Sequence, residues 1–159
     1  MDTTVDFNRP PRRLMLALLP PSTNDAYAGS PLAPRLLGFF AALTILPACV
    51  HLFLPDGGAG SIAGIDLGPC GPTVVALFAW AGATQLVFGL VMLGAAVRYR
   101  SFVPATLVLL LVERGLHALN GWVLKTGSGH HPPEHYAILV GLPILVATLI
   151  ASTRGGGRS

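Results

Sequence analysis

Residues 73–124 read TVVALFAWAGATQLVFGLVMLGAAV-RYR-SFVPATLVLLLVERGLHALNGWVL, and this stretch decides the fold. Thr73–Val97 holds no charged residue, and Ser101–Leu124 holds only Glu113 and Arg114. A helix needs about 20 residues to cross the hydrocarbon core of a bilayer, and each half is long enough. Lipid offers the backbone no hydrogen-bond partner, so both halves are expected to be helical. The three residues Arg98-Tyr99-Arg100 are all that joins them. So short a link implies an antiparallel hairpin, with the two helices as neighbours.

Outward from the hairpin, two further apolar runs complete the pattern, at about Leu36–Leu54 and Tyr136–Ser152. Period-2 alternation is absent, which excludes a β-barrel. Composition agrees: the 159 residues are 52% hydrophobic and only 11% charged, with a mean hydropathy of +0.65. An average soluble domain is about a quarter charged. The fold class expected is all-α, an integral membrane four-helix bundle with a disordered N-terminal tail. The expected division is a tail over 1–34, a helical domain over 35–153 with spans near 36–54, 73–97, 101–124 and 136–152, and a short tail over 154–159. The first 34 residues are polar and broken by Pro10, Pro11, Pro20, Pro21, Pro31 and Pro34, a composition typical of disorder. Their one apolar run, Leu14–Leu19, is shorter than a signal peptide needs, so no cleavage is expected. Pro47 and Pro143 lie inside the first and fourth runs and are expected to bend them.

The net charge of +3 invites a nucleic-acid reading, but the arginines sit at the ends of apolar runs and form no basic stripe, so no nucleic acid is expected as a partner. Their placement instead sets orientation. Arg9, Arg12, Arg13, Arg35, Arg98, Arg100, Arg154 and Arg158 fall on one side, and only Lys125 on the other. Both termini are therefore expected in the cytoplasm, with the lipid bilayer of a cell membrane as the environment. Loop 55–72, rich in Gly, reads as a flexible outer connection. Cys49 and Cys70 read as two separate thiols.

Chemistry concentrates in the third run. At 100° per residue, with Glu113 at 0°, Thr106 falls at about 20°, His117 at about 40°, Asn120 at about −20° and Arg114 at about 100°. A charge at the bilayer centre costs about 2.5–3.5 kcal/mol on insertion scales, so this stripe is expected to face protein or water. Gln85 lies at matching depth in the second run, on a face shared with the small residues Gly82, Gly89 and Ala96. That face is expected to approach the third helix closely. The expected result is a buried network of Gln85, Glu113, Arg114, His117 and Asn120, which either locks the bundle together or forms a ligand or proton site. On the outer side, His51, His130, His131 and His135 are candidate ligands for Zn²⁺ or Cu²⁺, although their spacing matches no strong metal motif. No cofactor is required by any motif present. Pro132-Pro133-Glu134 reads as a helix start, with the carboxylate beside the positive N-terminus.

The hairpin Gly82–Trp122, with its small-residue-rich second helix, basic turn at Arg98-Tyr99-Arg100 and amphipathic third helix, resembles small four-helix bacterial inner-membrane proteins of the DoxX-like kind. The resemblance covers about a quarter of the chain and implies architecture and a bacterial inner-membrane location. The 34-residue tail departs from that compact form. Three function classes follow. The first is a non-catalytic, auxiliary protein whose buried polar site locks the bundle or binds a small lipophilic ligand such as a quinone or lipid. The second is a small proton-coupled transporter using Glu113, dimerising to enclose a pathway. The third is a membrane-embedded metal or redox enzyme using the outer histidines. Partners expected beyond the bilayer are a second copy or another membrane protein.

Overall fold

The computed structural model describes residues 19–125 and 131–155. These residues form four helices and no strand. The helices are α1 (Leu32–Phe53), α2 (Gly71–Val97), α3 (Val103–Leu119) and α4 (Pro133–Thr153). Each is long and apolar enough to cross a membrane, α3 together with its flanking turns. α3 runs on into a π-helical turn, Asn120–Leu124. Three helices begin earlier than the expected spans, at Leu32, Gly71 and Pro133, because proline is tolerated in a first helical turn: Pro34, Pro72 and Pro133 sit there. Helices α1 and α4 continue through Pro47 and Pro143.

The outward faces are as apolar as the interior. Trp80 is 71% exposed, Val140 66% and Leu46 64%. Burial of apolar area therefore cannot tell which side of a helix turns inward, and small and hydroxyl-bearing residues mark it instead. α1 turns in Leu37, Ala41, Thr44 and Ala48; α4 turns in Ile138, Leu145, Thr148 and Ser152. Both stripes follow the alternating three- and four-residue steps of left-handed helix packing. The buried hydroxyls of Thr44, Thr106 and Thr148 each donate to the carbonyl four residues back, so no helix carries an orphan donor inward.

The closest pair is α1 with α2. A Cβ added at Gly82 would lie 2.7 Å from His51 Cβ and 2.9 Å from the Ala48 carbonyl oxygen, and one at Gly89 would lie 2.6 Å from Ile45 Cγ1. Only glycine fits at either position. This corrects one expectation: the small face of α2 packs on α1, not on α3. α3 packs mainly on α4, while α2 and α3 make little contact despite the short link. A groove lined by Val87, Val91, Thr106 and Leu109 separates them. A short link holds two helices together only at the joined end. Leu37, Met92, Leu107, Leu110 and Leu145 form the core, toward the end of the bundle that carries the termini.

The tail expectation also changes for residues 19–31. They form a polar strap across that end. The last carbonyls of α2 and the first amides leading into α3 lack helical partners, and Ser22-Thr23-Asn24 supplies them. Asn24 Nδ2 donates to the Val97 carbonyl at 2.8 Å and Ser22 Oγ to that of Arg98 at 3.0 Å. Asn24 Oδ1 accepts from Arg100 N–H and Thr23 Oγ1 from Ser101 N–H, both at 3.3 Å. Arg98 and the Tyr99 hydroxyl both donate to the Pro20 carbonyl. Farther along, Ser30 N–H donates to the Ala151 carbonyl at 3.1 Å, tying the strap to α4. Gly29 sits so close that a Cβ would lie 2.1 Å from the Ser152 carbonyl oxygen. Burial raises the Tyr27 phenol above its ordinary value, against a smaller opposing pull from Arg100. The hydroxyl thus stays protonated and donates to Ser30 O.

Loop 55–67 is ordered as well, where its glycine content suggested a flexible connection. Gly57 and Gly58 take φ of 61° and 76°, which side chains resist. Asp56 organises the turn: its carboxylate accepts from Gly58 N–H at 2.9 Å and Ser61 N–H at 2.7 Å. Those bonds, Ser61 first, hold its pKa below the ordinary carboxylate value. The sign follows from linkage: this contribution is present above the ordinary carboxylate pKa and is lost only as pH falls through the lowered one.

Asn24→Ala should cost about 1 kcal/mol, as for loss of a helix cap, and more when combined with Ser22→Ala and Thr23→Ala. Melting in detergent, with trypsin cleavage after Arg98 and Arg100 as the local probe, checks it. Faster cleavage is expected, and an unchanged rate in the triple variant would remove the capping role.

Candidate functional site

The polar stripe of α3 assembles around Arg114, whose side chain is 16% exposed. Its guanidinium meets three partners from three helices. Nε lies 3.1 Å from Glu113 Oε2. Nη1 donates to Glu134 Oε1 at 3.1 Å, and Nη2 donates to Thr44 Oγ1 at 3.2 Å. The contact with Glu113 is an ion pair without an aligned hydrogen bond, since the Nε–H does not point along it; Glu113 Oε2 is buried and has no donor. His117 Nδ1 lies 3.6 Å from Glu113 Oε1 and 3.9 Å from Glu134 Oε1. Two carboxylates thus share one guanidinium, with an imidazole between them.

Glu113, Arg114 and His117 come together. Gln85 does not join them by a hydrogen bond; it sits on the α1-facing side of α2, with a buried Oε1 that has no donor. Asn120 is exposed; its N–H still bonds the Leu116 and His117 carbonyls, so it keeps the α-helical register and opens the π turn that follows, with no hydrogen bond to Arg114. The residues that sequence reasoning left out of the network are Thr44 and Glu134. Thr44 carried a signal in its place on the inward stripe of α1. Glu134 had been assigned to its own helix start, yet it reaches across to α3.

Beside this network lies a cavity of about 740 Å³ between α1 and α4, in the half of the bundle away from the strap. Phe40, Pro47, Val50, Ile138 and Leu145 line it with apolar surface, and Thr44, Gln85, Arg114 and Glu134 give it one polar side. Loop residues Gly58 and Ile62 line its outer mouth. His51 anchors that loop: its Nδ1 lies 2.7 Å from the Gly57 carbonyl. A carbonyl only accepts, so this nitrogen carries the proton. The ring also stands edge-on to Phe78, with centroids 5.1 Å apart.

The other candidate metal ligands separate. His51 belongs to the loop anchor, whereas His131 and His135 meet at the junction of α3 and α4. His130 lies outside the described residues. Among the described residues no group of three or more His, Cys, Asp or Glu converges. Cys49 and Cys70 are free.

Arg114→Leu should destabilise more than Glu113→Leu or Glu134→Gln, because it alone leaves two carboxylates facing each other. Losing one partner of a fully buried pair costs about 3–5 kcal/mol; with Glu134 half exposed, about 2–3 kcal/mol is expected. Thermal melts of the three variants in one detergent give the order, and equal melts would mean that the network holds nothing together.

No protein-family model matches the chain, and no curated protein and no solved structure matches it.

Proposed function

We propose that the chain is a multi-pass cell-membrane protein, with both termini cytoplasmic, that binds a small lipophilic molecule with a polar head. The cavity between α1 and α4 carries this reading. Ligand sites are typically about 300–1,000 Å³, largely apolar, with a few placed polar groups. At about 740 Å³ the cavity falls in that range. Gln85, with a buried oxygen that lacks a donor, and Arg114, with N–H groups beyond its three contacts, offer a head group both kinds of hydrogen-bond partner. A quinone's carbonyls can accept from Arg114, and its quinol form or a lipid hydroxyl can also donate to Gln85. In this reading the protein is auxiliary rather than catalytic, and the Arg114 network both braces the helices and presents the polar side. The likeness of the hairpin to DoxX-like membrane proteins supports the architecture and a bacterial inner-membrane setting.

The transporter reading has one observation in its favour: two carboxylates share one guanidinium, so a proton or cation would balance the site.

Orientation rests on the eight-to-one placement of basic residues. Reporter fusions after Arg98 and after Ser159 should both signal cytoplasm, and an exterior signal at either point reverses the assignment.

Ligand binding is tested at Gly141, which lines the cavity and where an added Cβ meets nothing within 4 Å. Gly141→Phe should fill the space without disturbing the fold. A short-chain ubiquinone, decylubiquinone, should raise the melting temperature of the wild-type protein; at 100 times its Kd the gain is about 2.7 kcal/mol, worth several degrees. Gly141→Phe should lose that shift. Equal shifts in both proteins, or none in either with both decylubiquinone and extracted membrane lipid, would sink the reading. Protons released as the probe binds would transfer the site to the transporter class.

A further inference from the structure

The structure contains a second cluster, bordering the cavity through His135, where the end of α3 meets the start of α4. His131 Nδ1 and His135 Nδ1 lie 3.1 Å apart. The surroundings hold both rings in place. The backbone of α3 widens into the π turn Asn120–Leu124 at this point. Gly121 on that turn makes room for the second imidazole: a Cβ there would lie 2.6 Å from His135 Cε1 and 2.8 Å from Nε2. The next residue, Trp122, stacks on His131 with centroids 4.2 Å apart and planes within 11°. Its indole N–H reaches the His135 carbonyl at 3.4 Å. Tyr136 closes the cluster, edge-on to Trp122.

We propose that His131 and His135 form a binding site for a divalent cation that prefers imidazole, of the Cu²⁺ and Zn²⁺ class. Metal–imidazole bonds of about 2.0–2.1 Å to two nitrogens this far apart enclose an angle of about 100°, within the range of tetrahedral and square arrangements. His131 precedes the first turn of α4 and His135 lies within it, so the two rings approach one point from the junction of loop and helix. Each ring carries its proton on Nε2 in the bound state and turns the Nδ1 lone pair to the metal, so binding releases no proton from a neutral pair. Both residues are only half-buried, so water completes the coordination. π turns inside α-helices are often found at functional sites, and here the turn and its glycine place one ligand ring.

Trp122 supplies the readout. Cu²⁺ is paramagnetic and quenches an indole stacked on its ligand. In a Trp80→Phe background Trp122 is the remaining tryptophan. The full chain, purified in detergent with any polyhistidine tag removed, is titrated with Cu²⁺. Saturable quenching is expected at one equivalent, with imidazole nitrogen splitting in the electron paramagnetic resonance spectrum. His131→Gln and His135→Gln should each abolish the one-equivalent step. Gly121→Ala, which displaces the His135 ring without removing a ligand, should weaken it at least tenfold. His51→Gln and His117→Gln should leave it unchanged. Quenching that persists in both ligand variants, or that never saturates in the parent protein, overturns the proposal. His135 also lines the cavity between α1 and α4 but His131 does not, so His131→Gln should lose the Cu²⁺ step and keep the decylubiquinone shift, which separates the two sites.

Discussion

In a bundle whose outer surface is as apolar as its interior, the hydrophobic effect does not choose which faces meet. Close contact chooses them. The seam between α1 and α2 is the place where that contact is tightest, because Gly82 and Gly89 let the backbone and side chains of Ala48, His51 and Ile45 approach within a distance no Cβ would permit. The other packing decisions follow. With its small face used by α1, α2 has none left for α3. α3 therefore pairs with α4, and the two pairs meet through the core at the strap end and through Arg114 farther along. The cavity is the space left where large side chains of α1, such as Phe40 and Pro47, face α4 instead of a glycine stripe.

The Arg114 network is best understood as a tie between those two pairs. Nη2 reaches Thr44 on α1, while Nη1 reaches Glu134 on α4. A guanidinium suits this task because its planar donors diverge in fixed directions and its charge is always present. Lysine could not meet both partners with the same geometry. The same group that braces the helices also borders the cavity.

The number of helices and the location of the charged stripe were legible in the sequence, because runs of twenty apolar residues and a Glu-Arg pair inside one of them have few alternatives. Pairing was not legible. The short link at Arg98-Tyr99-Arg100 suggested that α2 and α3 lie side by side, yet a link constrains only the end it joins. The inward stripe Leu37, Ala41, Thr44 and Ala48 of α1 held the missing signal, since it matches the stripe of α2 step for step. The strap was hidden by composition: prolines suggested disorder, while Ser22-Thr23-Asn24 are the residue types that cap helices. In the same way the glycines of loop 55–67 masked Asp56, whose spacing to Gly58 and Ser61 lets its carboxylate gather their amides. Asn120 shares the angular face of Glu113 but lies about two turns farther along the helix, beyond the Arg114 contacts, and an angle alone does not show that distance.

The strap has a consequence for the order in which the molecule is completed. Ser30 bonds Ala151, so this part of the strap finds its partner only after α4 has been made. The bonds of Ser22 and Asn24 to the last carbonyls of α2 need only α2 and its link to α3, so they can form earlier. The strap therefore docks in two steps, and the second closes it onto α4. A chain stalled before α4 would keep Gly29 and Ser30 undocked, exposed to proteases that survey unfinished proteins.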